Sequence, residues 1–241
     1  MNFKPSEFFI GLVEFITILL PGALFAALLL LVEAKHPFSG AEPLYSFALN
    51  KDFSTVFYVA YIVAAFGLGY FLNSFASGLD LPFNSVRKRI KPYSSEITNK
   101  KESEEAYCNR PLSIFLQLFF ELEYKVTVST AFDETEKLRD AQHESVKRSS
   151  NVYKWATLML ETKFPAIAVE INKTMAASKF FRSLVIVFLT ALVLRLFGYI
   201  NFPIWLIIVL IVLSFREYVV QRMKCIEKTY LSIVVLWNTK A

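Results

Sequence analysis

Few side chains in this chain have chemistry to offer, and the one in the most unusual setting is Glu14. It is the only ionisable group in the apolar run from Phe8 to Val32, where a carboxylate inside a membrane span costs on the order of 2–3 kcal/mol on insertion scales. An acid there acts as a pore-lining or proton-sensitive group, or else as a packed, hydrogen-bonded one. In either case it is expected to face protein or water. Asn73 lies six residues before the end of a second apolar run at Leu79, and an antiparallel second helix brings it to about the depth of Glu14. Asn73 and Arg182 are therefore the expected partners. His36 and His143 have no nucleophile or metal-ligand pattern near them, and neither a P-loop nor a dinucleotide fingerprint occurs. Cys108 and Cys225 fall in segments expected in the cytoplasm, where thiols stay reduced, and match no metal-ligand spacing. The expectation is a non-enzymatic protein with no catalytic residues, no cofactor, no metal and no disulfide.

The elements that hold these residues follow from composition. With 241 residues, 55% hydrophobic residues, 24 Phe and a mean hydropathy of +0.43, the chain is too apolar for an ordinary soluble surface. Four runs meet the criterion for crossing a bilayer: Phe8 to Val32, Val56 to Leu79, Phe180 to Phe197 and Phe202 to Phe215. The first is far longer than a signal-peptide core and no small-residue cleavage pattern follows it, so it is expected to stay. Gly198, Tyr199, Ile200 and Asn201 ahead of Pro203 split the last two, predicting a tight helical hairpin. At about 1.5 Å per residue the fourth run alone is short for a core of roughly 30 Å. Its crossing must therefore draw on flanking residues, or the hairpin must be re-entrant.

Basic residues set the orientation. Sixteen Lys and Arg lie between Asp80 and Lys179, none between Gly198 and Pro203, and five after the last run. The positive-inside rule then places both termini and the central segment in the cytoplasm. Arg87, Lys88, Arg89 and Lys91, directly after the second run, are the strongest anchor and suit anionic lipid headgroups. They serve equally as a plain topology signal. The resulting architecture is an all-α integral membrane protein with four transmembrane helices and a mostly helical cytoplasmic domain between the second and third. Residues 1–79 hold the first two spans with an outer loop at 33–55, residues 80–179 the cytoplasmic domain, residues 180–215 the second hairpin and residues 216–241 a cytoplasmic C-terminal helix.

Within the central segment, Pro92 to Glu105 reads as an exposed loop rich in Ser, Lys and Glu, and Leu112 to Leu122 as an apolar helix too short to span. Tyr124 to Ala131 is open between helix and turn. Asp133 to Arg148 is charged nearly all round, which marks a solvated helix. Ser149 to Asn151 offers a cap for the next helix, and Phe164-Pro165 breaks and restarts the chain. From Ala166 no breaker intervenes before the third span, so one long helix is expected, answered by a fourth that descends past Arg216, Tyr218, Arg222 and Tyr230. Such a pair would form a stalk able to carry a cytoplasmic event to the spans or the reverse. Acids interleave with the bases through Glu96 to Glu144, which argues against nucleic-acid binding.

Pro21-Gly22 in the middle of the first span predicts a kink, a hinge in some membrane helices and a passive bend in others. Ala65, Gly69, Asn73 and Ser77 recur at i+4 on the second span, a small-residue stripe that lets helices approach closely.

The stretches Glu170-Ile171-Asn172 to Lys179-Phe180-Phe181-Arg182-Ser183-Leu184 and Phe215-Arg216-Glu217-Tyr218, with Arg222, Lys224, Tyr230 and Leu20-Pro21-Gly22, resemble a pattern in uncharacterised bacterial four-span proteins. Some of those are encoded near anti-phage defence systems. The resemblance covers about the last third of the chain and implies a membrane component of a defence or stress system, with no catalytic residues to carry over. Two functional expectations stand. One is a homo-oligomeric membrane sensor or effector with a cytoplasmic protein partner. The other is an ion channel or transporter with Glu14 as its permeation residue.

Overall fold

The computed structural model describes residues 5–35, 54–84, 126–142 and 151–238. Among these the chain is entirely helical, with no strand. Helix α1 spans Pro5–Lys35, α2 Ser54–Ala76, α3 Val126–Gln142, α4 Val152–Lys163, α5 Pro165–Leu196 and α6 Ile204–Asn238. A 3₁₀ turn at Ser77–Leu79 extends α2 and leads into a further helical stretch at 80–84. Four helical stretches are long and apolar enough to cross a membrane: Gly11–Lys35, Thr55–Asn84, Pro165–Leu196 and Ile204–Trp237. The fourth, at 34 residues, has ample length. The apolar run 202–215 looked short because the helix continues well beyond Arg216 into mixed sequence.

Local chemistry explains the boundaries. Proline occupies the first position of α1 and of α5, where its missing N–H and fixed φ suit a helix start. Asn151 caps α4, its side-chain oxygen accepting from the Tyr153 N–H at 3.0 Å. Phe164 ends α4 in a non-helical backbone, with φ −139° and ψ 63°, and Pro165 reopens the helix. At the other end of α5, Gly198 has φ +79°. The Tyr199 N–H returns to the Leu194 carbonyl at 2.9 Å and the Gly198 N–H to the Arg195 carbonyl at 3.1 Å, a Schellman closure that needs glycine at its left-handed position. The Arg195 Nη1 donates to the Ile200 carbonyl at 3.3 Å and steadies the loop.

The helices divide into two compact units. The first contains α3, α4, α5 up to Met175 and α6 from Val219. Its core gathers Val152, Trp155, Ala156, Leu160, Ile171, Cys225, Ile226 and Tyr230. Here α3 departs from the expected fully solvated helix. Ala131, Thr135 and Arg139 are buried at successive i+4 positions, and the segment is helical from Val126. A small residue, a threonine bonded to the Ala131 carbonyl at 2.6 Å and an arginine neutralised by Asp140 at 2.8 Å and Glu136 at 3.4 Å make a buried stripe that carries no apolar signature. The second unit contains α1 from Gly11, α2, α5 from Ala176 and α6 up to Tyr218. Leu28, Ala191, Ile200 and Ile207 form an apolar cluster in it, with Val32, Leu192, Leu194 and Ile211 packed against them.

Arg87, Lys88, Arg89 and Lys91, the segments Pro92–Glu105 and Leu112–Leu122, and Cys108, His36 and His143 lie outside the described residues.

Candidate functional site

The site is built where three helices of the second unit converge on Arg182. Its Nη1 lies 3.3 Å from both carboxylate oxygens of Asp80. Its Nη2 donates to the Asn73 side-chain oxygen at 3.0 Å and to the Asn73 carbonyl at 3.4 Å. From α6 the Tyr218 hydroxyl donates to Asp80 Oδ1 at 2.6 Å. Asn73 and Asp80 share a face of α2 and its extension because they are seven residues apart, two turns of helix. α5 supplies the cation and α6 the phenol.

Burial gives this arrangement its weight. The Arg182 side chain keeps 14% of its exposure and Asp80 keeps 43%, while Tyr218 is fully buried. A guanidinium held this far from water needs a counter-charge, because the desolvation cost of an unpaired ion exceeds any single hydrogen bond. Asp80 supplies it at Nη1, and Asn73 satisfies Nη2. The Arg182 Nε is buried without a hydrogen bond, so the match is not complete. A close ion pair with one arm open to solvent can break and re-form far more readily than one sealed in a core. The constellation has no activated nucleophile. It is a polar latch joining α2, α5 and α6.

Glu14 sits elsewhere. Its side chain is exposed on the outside of α1, and among the described residues its carboxylate has no partner. The expected bonds to Asn73 and Arg182 do not form. α1 and α2 meet closely at Ile18 and Gly22, one and two turns beyond Glu14, while Asn73 and Arg182 bond each other and Arg182 takes Asp80 as its counter-charge. Gly22 and Gly69 lie in that contact. A Cβ on Gly22 would come within 1.8 Å of the Ala65 carbonyl oxygen, and one on Gly69 within 2.1 Å of the Ile18 carbonyl oxygen. Pro21 is fully buried, and α1 runs unbroken through it. The Tyr61 hydroxyl donates to the Ala23 carbonyl at 2.7 Å, and the Phe15 and Phe66 rings pack at 5.3 Å across the same interface.

Asp80 and Tyr218 were missed as site residues from sequence. The available signal for Asp80 was its i+7 spacing from Asn73. Tyr218 carried none beyond its place on α6.

The first unit has its own polar core. The Tyr153 hydroxyl and the Cys225 thiol lie 3.3 Å apart, the thiol reaches the Ile171 carbonyl at 3.8 Å, and the Arg222 guanidinium stacks over the Tyr153 ring at 5.9 Å. Arg222 Nη1 also meets the Met175 sulfur. Burial, with the Cys225 contact second, pushes the Tyr153 phenol well above its ordinary range, which keeps it neutral and unreactive. Tyr230 stands edge-on to both Tyr153 and Phe132. This cluster packs helices together.

Among the described residues no three His, Cys, Asp or Glu side chains converge to hold a metal ion. No family model, no curated protein and no solved structure matches the chain.

Proposed function

We propose that this is a multi-pass protein of a bacterial inner membrane, with both termini and the polar helical unit in the cytoplasm. It acts as a non-catalytic, homo-oligomeric sensor or effector subunit that couples a cytoplasmic event, delivered by a protein partner, to its membrane helices. The observation that carries this reading is the latch on uninterrupted helices. α5 and α6 each continue without a break from one compact unit into the other, and Arg182 and Tyr218 lie, along the chain, close to where each helix passes between them. A displacement of either helix would act on the Arg182–Asp80–Tyr218 contacts, a two-state element of the kind that switches exploit. The resemblance to four-span proteins encoded near defence systems supports anti-phage defence as the setting.

The alternative, a channel with Glu14 as permeation residue, is constrained by geometry. Glu14 is exposed and has no partner among the described residues, so a pore lined by it has to form between copies.

The test is expression of the full chain in bacterial cells at matched membrane levels, reading membrane potential with a voltage-sensitive dye and survival under phage challenge. Asp80→Asn and Arg182→Gln should shift both readouts from wild type, by spontaneous depolarisation or by loss of protection. If both variants behave as wild type in both assays, the coupling reading is wrong.

A further inference from the structure

Among the described residues of the second unit, Glu14 and Lys179 are, apart from Lys35 at the far end of α1, the charged side chains that have no partner. Both are exposed, and they carry opposite charge on different helices, α1 and α5.

Their levels can be compared through the cluster in which Leu28 of α1 packs with Ala191 of α5. Glu14 lies fourteen residues before Leu28 and Lys179 twelve before Ala191. At 1.5 Å per residue the two charges lie about 21 Å and about 18 Å from the shared cluster. On two helices that run in the same direction, this puts them within about 3 Å of one level.

Level matters because copies inserted in one orientation are related by rotation about an axis along the membrane normal. Such a rotation preserves depth, so a residue of one copy can meet only residues at its own depth in the next. We infer that Glu14 of one copy pairs with Lys179 of a neighbouring copy, and that the exposed surface around these two charges is a self-association surface. An anionic headgroup could neutralise Lys179 but would repel Glu14 at the same level. A second copy satisfies both charges. A twofold dimer makes the pair twice, and a ring makes it once per interface. Apolar contact alone does not drive helices together in lipid, where the tails are equally apolar, so the polar pair supplies the specificity.

This inference rests on the membrane reading above and deepens its oligomeric part. Its test is independent of the latch, because Asp80 and Arg182 are left intact. The full chain, in mild detergent and in nanodiscs, is assayed for mass over a range of protein-to-detergent ratios, with wild type compared to Glu14→Lys, Lys179→Glu and the double charge swap. Thermal unfolding midpoints confirm folding. The expected result is an assembled wild type, a dissociation midpoint at least tenfold weaker in each single reversal, and recovery to within about threefold in the double swap. A wild type that is monomeric in lipid at every density overturns the inference. So does assembly indifferent to the single reversals, or a double swap no better than either single.

Discussion

Alanine at Gly22 adds one methyl group at a point where the second helix leaves no room for it. The new Cβ would sit 1.8 Å from the Ala65 carbonyl oxygen and 2.6 Å from the Gly69 nitrogen. Both are backbone atoms that cannot swing aside as a flexible side chain would. Restoring an ordinary 3.4 Å contact requires α1 and α2 to part by about 1.6 Å. That gap forfeits much of the dispersion attraction along the seam, including the Phe15–Phe66 contact, and stretches the Tyr61–Ala23 hydrogen bond. Overpacking of this kind costs about 1–3 kcal/mol. Gly67 provides the control, since a Cβ there meets nothing within 4 Å and Gly→Ala in an open helix position gains up to about 1 kcal/mol. The same chemical change at two glycines should therefore differ by about 2–4 kcal/mol.

Reversible unfolding in mixed micelles, titrated with a denaturing detergent, measures that difference. Gly69→Ala strains the same seam, at 2.1 Å from the Ile18 carbonyl oxygen, and one separation of the helices relieves both strains. The double variant should consequently cost less than the sum of the singles. Tyr61→Phe should lose part of its own effect in the Gly22→Ala background, because its hydrogen bond is already stretched there. Gly22→Ala within about 0.5 kcal/mol of Gly67→Ala, the ordinary scatter of neutral surface changes, would refute the close backbone approach.

Three further outcomes are expected from the same kind of measurement. Asp80→Asn should destabilise the chain by about 1–3 kcal/mol, below the figure for a sealed pair because Asp80 is 43% exposed, and replacing both partners by Asp80→Leu with Arg182→Met should cost less than Asp80→Asn alone. Trp155→Ala, which opens a cavity at a side chain 6% exposed, should cost about 3–5 kcal/mol, read in the first unit by loss of near-ultraviolet signal. With its phenol pushed up by burial and the Cys225 contact, Tyr153 favours the fold in its neutral form. That contribution is complete below the ordinary tyrosine value of about 10 and is lost as pH rises beyond it towards the folded-state value. An alkaline phenolate titration should show a late component that Tyr153→Phe removes, and a titration in which all tyrosines ionise together would count against the burial.

How far the sequence speaks depends on whether a side chain's role is written in its periodicity. The four apolar stretches, the hairpin turn at Gly198, the cap at Asn151 and the restart at Pro165 were legible because each rests on local chemistry that tertiary context does not overrule. The buried face of α3 was not, because Ala131, Thr135 and Arg139 are small, polar and charged, and burial of such residues is decided by partners distant in sequence. The same limit governed the polar site. Asn73 and Arg182 could be named as polar groups needing partners, but which group answered them depended on how three helices pack. The candidate acid, Glu14, stays exposed, while Asp80, read as the first residue of the segment between the second and third spans, supplies the counter-charge.

Packing of that kind also decides what each charge can be used for. Arg182 spends its charge within one chain, against Asp80 and a buried Tyr218 hydroxyl, so its loss is felt first as instability and only then as altered switching. Glu14 and Lys179 contribute nothing to the fold of a single chain, and exchanging their charges should leave the unfolding midpoint unchanged. Apolar spans tolerate a charge only where something neutralises it. The internal pair therefore belongs to the conformational state of one chain, and the external charges to whatever stands beside it. Combining a latch variant with the Glu14→Lys and Lys179→Glu swap separates the two roles: the effects on stability should add, because the latch and the outer face share no contact.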